Sequence, residues 1–325
     1  MTDRQYRVSD FVEVSKYAAS EWFMVNYADR SWRVENRDGE IWIEDASHPK
    51  LIPKNPIRRA WVTGSSNIDV SVLSGRKGWL LGWDYGEWGG GLEEYALRGR
   101  LLTKGDINGR RRDALSRRNS THPVVRISEA SSDDDYFRSE NVLGLFEIPD
   151  GAVVVRGLAH LGVENGRIEV YEGEIGRGLK LVKYITLPTA PYANCLASPG
   201  QALIAGTGGL FEVDLHEGRH KKLRIPGQSE ESVPQIGVVI AGKSNRVTFG
   251  RFQWGLMYPD SLAKADNVIY LGARHAVIKL SQGPQGLIET WLVHPDDDAL
   301  VAAARHEGVT EKNYDDFVKK FRVEN

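Results

Sequence analysis

Two histidines, His160 and His275, occupy matching places in the sequence, where each comes three residues after a glycine that ends a short apolar run. Asp84 and Glu87 follow a similar run that ends at residue 82. Imidazole nitrogens and carboxylate oxygens are common ligands of catalytic metal ions. These four residues could therefore hold an ion that activates water for hydrolysis. The alternative is that the two histidines make only local hydrogen bonds.

Residues 82–91 are the densest cluster of aromatic and acidic side chains, with the sequence Gly-Trp-Asp-Tyr-Gly-Glu-Trp-Gly-Gly-Gly. Trp and Tyr provide rigid contact area with a polar tip, and they are common anchors in protein interfaces. The candidate partner-binding residues of this segment are therefore Trp83, Tyr85 and Trp88. The alternative is that the tryptophans pack between neighbouring sheets while the carboxylates accept hydrogen bonds from backbone N–H groups.

A charged segment at residues 98–140 adds a second candidate contact. It carries nine basic and two acidic residues up to Arg126, and five acidic residues and one arginine after it. Either it is a solvated loop that partly neutralises itself, or it docks an acidic partner through Arg110, Arg111 and Arg112. No aromatic residues alternate with these arginines, and the net charge of the chain is −2, so we expect no binding of nucleic acid.

Residues 237–244, Gly-Val-Val-Ile-Ala-Gly-Lys-Ser, match the phosphate-loop pattern of nucleotide-binding proteins. That loop must wrap its backbone N–H groups around phosphates and lead into a helix. Here the loop residues are typical of a strand, and residues 245–249 continue in a strand pattern. The sequence instead predicts a strand at 236–241 that ends in a Gly-Lys-Ser-Asn turn, and no cofactor.

The elements that must position these residues are short β-strands. An apolar strand, a glycine, a loop and an alternating strand recur four times, and the glycines lie at 82, 157, 206 and 272. A propeller blade takes about 40–50 residues, which fits the spacing of 49 between the second and third glycines. The spacings of 75 and 66 fit either one blade with an insertion or two degenerate blades.

Residues 202–215 and 267–280 resemble the inner strands of irregular β-propellers, in which a small residue and a glycine end one strand before the next begins. The resemblance extends over residues 79–294 and points to no particular family. It implies an all-β fold, an irregular β-propeller of five to seven blades. A β-sandwich is the other fold that such strands could form.

The predicted propeller domain comprises residues 1–295, with residues 98–140 as a charged insertion loop. Within it, alternating residues 31–35 and 40–44 predict a hairpin around an Asp-Gly turn. Residues 296–325 are predicted to form a short helical C-terminal extension. In the helix predicted after Thr310, the apolar residues form one face that would pack on the propeller: Tyr314, Phe317, Val318 and Phe321.

The polar first residues, the single cysteine and the lack of a long apolar segment predict a cytoplasmic protein without a membrane contact. The leading functional hypothesis is a non-catalytic propeller that binds a protein partner. Solitary irregular propellers are similar to some bacterial proteins encoded beside toxins, which implies an immunity or inhibitor protein that neutralises a toxin. The alternative is a metal-dependent hydrolase, similar in outline to lactonases, that uses Asp84, Glu87, His160 and His275.

The phosphate-loop match allows a direct test. Because the string is predicted to be a strand and a turn, the wild type and a Lys243→Ala variant should show the same negligible binding of ATP in an equilibrium titration. Tight ATP binding by the wild type that is lost in the variant would contradict this prediction.

Overall fold

The computed structural model describes residues 5–14, 31–46, 69–84, 90–97, 124–127, 141–160, 163–226, 235–240, 243–248, 259, 261–274 and 276–296. The chain divides into two compact units, one formed by residues 1–50 with 222–325 and the other by residues 51–221. Most of the described residues lie in short antiparallel strands.

The described residues form 22 strands and a short 3-10 helix at Val8–Asp10. The first eleven strands are β1 (Gln5–Arg7), β2 (Val12–Val14), β3 (Trp32–Arg37), β4 (Glu40–Asp45), β5 (Asp69–Ser74), β6 (Gly78–Asp84), β7 (Gly90–Leu97), β8 (Val124–Ile127), β9 (Asn141–Ile148), β10 (Gly151–His160) and β11 (Val163–Glu172). The others are β12 (Lys180–Thr186), β13 (Pro191–Ser198), β14 (Gln201–Gly206), β15 (Gly209–Asp214), β16 (Arg219–Lys222), β17 (Gln235–Ile240), β18 (Lys243–Thr248), β19 (Ser261–Ala265), β20 (Val268–Gly272), β21 (Ala276–Gly283) and β22 (Gly286–Val293).

The unit with the first and last segments of the chain holds three sheets, in the strand orders β1-β4-β3, β17-β18 and β19-β20-β21-β22-β2. Strand β2 pairs with β22 from Val12 opposite Val293 to Val14 opposite Trp291. One core joins the three-stranded and five-stranded sheets, and Trp32 at its centre is fully buried. Strands from both ends of the chain therefore share one sheet and one core.

The unit of residues 51–221 holds three four-stranded sheets, in the orders β5-β6-β7-β8, β9-β10-β11-β12 and β13-β14-β15-β16. The second strand of a sheet is its most buried: residues 151–157 of β10 and residues 202–206 of β14 are buried on both faces. One apolar core packs the first sheet on the second, and another packs the second on the third.

The sheets of three to five strands form a five-blade β-propeller arrangement, so the predicted fold class is confirmed. The spacing of 75 residues between the first two anchor glycines is one blade with an insertion, because β9 begins the sheet that follows β5–β8. The spacing of 66 residues accommodates the β17–β18 hairpin. Strand β8 lies inside the segment predicted to be an insertion loop and pairs with β7.

The four anchor glycines lie on the second strands of four different sheets, as the repeat predicted. Three of them face a neighbouring sheet of the same unit at very short range. A Cβ at Gly157 would lie 2.5 Å from Cδ of Pro191, and one at Gly82 or Gly272 would come closer than 3.0 Å to Val142 or to the backbone of Trp32. The glycines are required because a side chain would push the sheets apart.

Two predicted hairpins are confirmed in outline. Strands β3 and β4 flank Asp38 and Gly39, whose φ angles of 54° and 90° match a two-residue hairpin turn. Strands β17 and β18 pair from Gln235–Thr248 to Ile240–Lys243, so the phosphate-loop string leads into a strand and not a helix. The predicted Gly-Lys-Ser-Asn turn is too long, because Lys243 and the residues after it already belong to β18.

The predicted C-terminal helices lie outside the described residues, which end at Asp296. Within the described part of the chain, none of the helices has the length and apolar character needed to span a membrane.

The close approach of the sheets predicts that Gly157→Ala and Gly272→Ala each reduce the free energy of unfolding by about 2 kcal/mol, because overpacking forces rigid neighbours apart. Gly200→Ala is the control, since its Cβ would meet only the side chain of exposed His216. Urea denaturation measures all three variants. Equal stability of the three would contradict the close-approach explanation.

Candidate binding surface

The structure places three of the predicted site residues at strand ends. Trp83 and Asp84 are the last residues of β6, and His160 is the last residue of β10. Both strands are second in their sheets, so Asp84 and His160 each end the second strand of a sheet in the same unit. The remaining predicted site residues lie outside the described residues: Tyr85, Glu87, Trp88, Arg110, Arg111, Arg112 and His275.

No group of three or more His, Cys, Asp and Glu side chains in the described part of the chain is arranged to hold a metal ion. The structure places Asp84 and His160 at the ends of two second strands. Their roles as metal ligands stay a prediction.

A buried ionic cluster, which the sequence analysis did not identify, lies in the second sheet of the same unit. Arg156 on β10 and Glu169 on β11 are each only 2% exposed. Arg156 Nε donates to Glu169 Oε2 over 2.8 Å, and the Tyr171 hydroxyl donates to the same oxygen over 2.8 Å. Arg167 Nε donates to Glu169 Oε1 over 2.7 Å. The Glu169 carboxylate thus accepts three hydrogen bonds.

Strand alternation explains how this cluster forms. Arg167, Glu169 and Tyr171 are two residues apart along β11 and so point to one face, while Ile168 points to the opposite, apolar face. Arg156 lies opposite Arg167 in the ladder and shares their face. The pattern Arg-Ile-Glu-Val-Tyr at 167–171 is the sequence signal that could have revealed a polar face, although burial depends on the neighbouring sheet.

The cluster reaches the protein surface at β12, the outer strand of this sheet. Tyr184 pairs with Glu169 and is 59% exposed, and the Arg167 guanidinium carbon lies 5.8 Å from the centre of its ring. Val182, at a β-bulge two residues earlier, is 40% exposed. We name the exposed side chains of Val182 and Tyr184, with Arg167 beside them, the β12 surface.

A loop anchored from the first sheet fixes where β12 begins. Glu94 on β7 is buried, and its carboxylate accepts hydrogen bonds from the backbone N–H groups of Gly176, Gly178 and Leu179 over 2.6, 3.1 and 2.8 Å. Because Leu179 directly precedes β12, this carboxylate holds the start of the strand in place. The β12 surface is therefore built on a rigid support.

The opposite face of β12 contacts the third sheet. Lys183 Nζ donates to the carbonyl of Leu215 over 3.1 Å and to that of His216, which binds β12 to the turn before β16. Asp214 fixes this turn by accepting hydrogen bonds from the N–H groups of Glu217 and His216, and these bonds lower the pKa of its carboxyl. Lys183 therefore joins the outer strand of the second sheet to the turn that precedes β16.

Positive charge dominates the two outer strands. Strand β16 has the sequence Arg-His-Lys-Lys and is exposed at all four residues, and β12 contributes two lysines. Neither strand contains a carboxylate, although the whole chain has a net charge of −2. The nearest acidic group of the turn, Glu217, pairs with Arg219 over 3.5 Å. Strand β12 thus has the Tyr184 ring on one face and its lysines on the other, toward the turn before β16.

Comparisons with known proteins identify no family. No protein-family model matches the chain, and no curated protein matches it. Among solved structures, the AfRom2 CNH domain is 13% identical over 80% of this chain and 89% of that chain, with a TM-score of 0.32.

The buried cluster predicts that Glu169→Gln lowers the free energy of unfolding by about 3 kcal/mol, because it removes the negative charge that compensates buried Arg156. Glu172→Gln, at an exposed position of the same strand, is the matched control and should change it by less than about 0.5 kcal/mol. Urea denaturation of both variants measures the difference, and an equal effect would argue against a structural role for the cluster.

Proposed function

We propose that this chain is a non-catalytic protein-binding β-propeller and that the β12 surface is part of its interface. The observation that carries the proposal is the exposed ring of Tyr184 beside Arg167, whose guanidinium is held by buried Glu169. Tyr and Arg are enriched among the residues that dominate binding energy in protein interfaces. The exposure of the Tyr184 ring here, with the Arg167 guanidinium beside it, supports a contact with another protein.

Rigidity of the support adds to this argument. A partner that binds pre-ordered side chains loses less conformational entropy than one that must first order them. Arg167 is held by Glu169, and the start of β12 is held by Glu94. The side chains offered at the β12 surface are thus largely in place before a partner arrives.

The resemblance to bacterial proteins encoded beside toxins supports a narrower version of the proposal, in which the partner is a toxin and the complex forms in the cytoplasm. Trp83, Tyr85, Trp88 and Arg110 to Arg112 stay predicted contact residues. The test is to express each gene that flanks this one, with and without this chain. An immunity role is supported if a flanking gene's product arrests growth, co-purifies with this chain, and no longer arrests growth when this chain is present. If none of the flanking products is toxic, the immunity role is contradicted.

The protein-binding proposal predicts that Tyr184→Ala weakens partner capture about thirty-fold, which corresponds to roughly 2 kcal/mol for an interface anchor. Ile288→Ala is the matched control, because Ile288 is also an exposed apolar residue on a strand, at 50% exposure in the other unit. Quantitative mass spectrometry of proteins captured from the native host measures the effect. Thermal melting confirms that both variants fold.

Equal capture by the wild type and both variants would contradict the assignment of the β12 surface. Equal loss in both variants would show that the effect is not specific to Tyr184 and would contradict it as well.

A further inference from the structure

Among the described four-stranded sheets, β12 is the longest of the three strands that come last in chain order, with seven residues against four in β8 and four in β16. Strand β2 covers β22, and β16 has only four residues, three of them Arg or Lys. Strand β12 has seven residues and, within the described part of the chain, pairs only with β11. A long edge strand offers backbone N–H and C=O groups to an added strand, whereas short and highly charged edges resist such pairing.

The two faces of β12 differ in chemistry. Leu181 and Tyr184 lie opposite Tyr171 and Glu169 in the ladder, so they share one face. Lys183 lies opposite Val170 on the other face, which meets the turn before the basic strand β16. A strand added at this edge would place alternate side chains beside Tyr184 on one face and beside lysines on the other.

The positive charge of β12 and β16 determines which side chains an added strand should place on the face of Lys183. Strands β12 and β16 carry five Lys and Arg residues and no carboxylate. Acidic side chains at every second position of an added strand would face this positive border, while apolar side chains would face Tyr184 and Leu181. Strand addition with pockets for alternate side chains is an established mode of peptide recognition.

We propose that the edge of β12 binds an extended acidic segment of the partner protein, which adds a fifth strand to the sheet β9–β12. Its carboxylates lie toward Lys183 and β16, and its apolar residues lie toward Tyr184. This inference rests on the proposed protein-binding function and specifies the partner by its chemistry.

The test uses a fluorescent peptide of Glu-Val repeated four times, whose binding is measured by fluorescence anisotropy. We expect binding that weakens about ten-fold in the charge-reversal variant Lys180→Glu with Lys221→Glu, because these lysines belong to β12 and to the basic strand β16. Arg76→Glu is the control, since Arg76 is exposed on the turn between β5 and β6. Higher salt should weaken binding by screening these charges.

Two further peptides separate strand addition from simple charge attraction. The same peptide with N-methyl groups at alternate backbone nitrogens keeps its side chains but loses N–H donors, and a Lys-Val repeat reverses the charge. We expect neither to bind. Binding of either one as tight as that of the Glu-Val peptide overturns the proposal, as does equal competition by double-stranded DNA or by phosphatidylserine vesicles.

The outcomes of the peptide test and of the capture test with Tyr184→Ala are independent of each other. If the Glu-Val peptide does not bind while Tyr184→Ala still loses the captured partner, strand addition is wrong and the protein-binding function stands. If Tyr184→Ala also keeps the partner, the proposed interface itself is wrong.

Discussion

The close approach of successive sheets is the constraint on which the rest of the structure depends. Where the second strand of one sheet meets the next sheet, the space admits no side chain, and Gly157 and Gly272 satisfy that condition in different units. With the sheets this close, their facing side chains form continuous apolar cores. The same closeness seals Arg156 and Glu169 from solvent.

The ionic cluster of Arg156, Glu169 and Arg167 bears on function because it is buried. A buried carboxylate that accepts three hydrogen bonds is costly to disturb, so Arg167 is held in position beside Tyr184 of the edge strand. Glu94 does the same for the loop that leads into β12. The exposed Tyr184 thus stands on a support that extends from the core to the surface, which is what a binding anchor requires.

The sequence predicted the elements whose signals are local. The glycine-ended strands, the Asp38–Gly39 hairpin and the strand character of 235–240 follow from residue type and alternation alone. Features that join distant parts of the chain were not predicted. The pairing of β2 with β22 and the hydrogen bonds that Glu94 accepts from the N–H groups of Gly176, Gly178 and Leu179 arise only once the sheets pack. The β12 surface was missed for the same reason, because the exposure of Tyr184 depends on where neighbouring sheets end.

Amide hydrogen exchange of the chain, with and without its captured partner, tests the central claim most directly. If the β12 surface is the interface, the amides of residues 180–186 should exchange more slowly in the complex, while those of buried β20 in the other unit stay unchanged. Slower exchange confined to other strands, with β12 unaffected, would contradict the account.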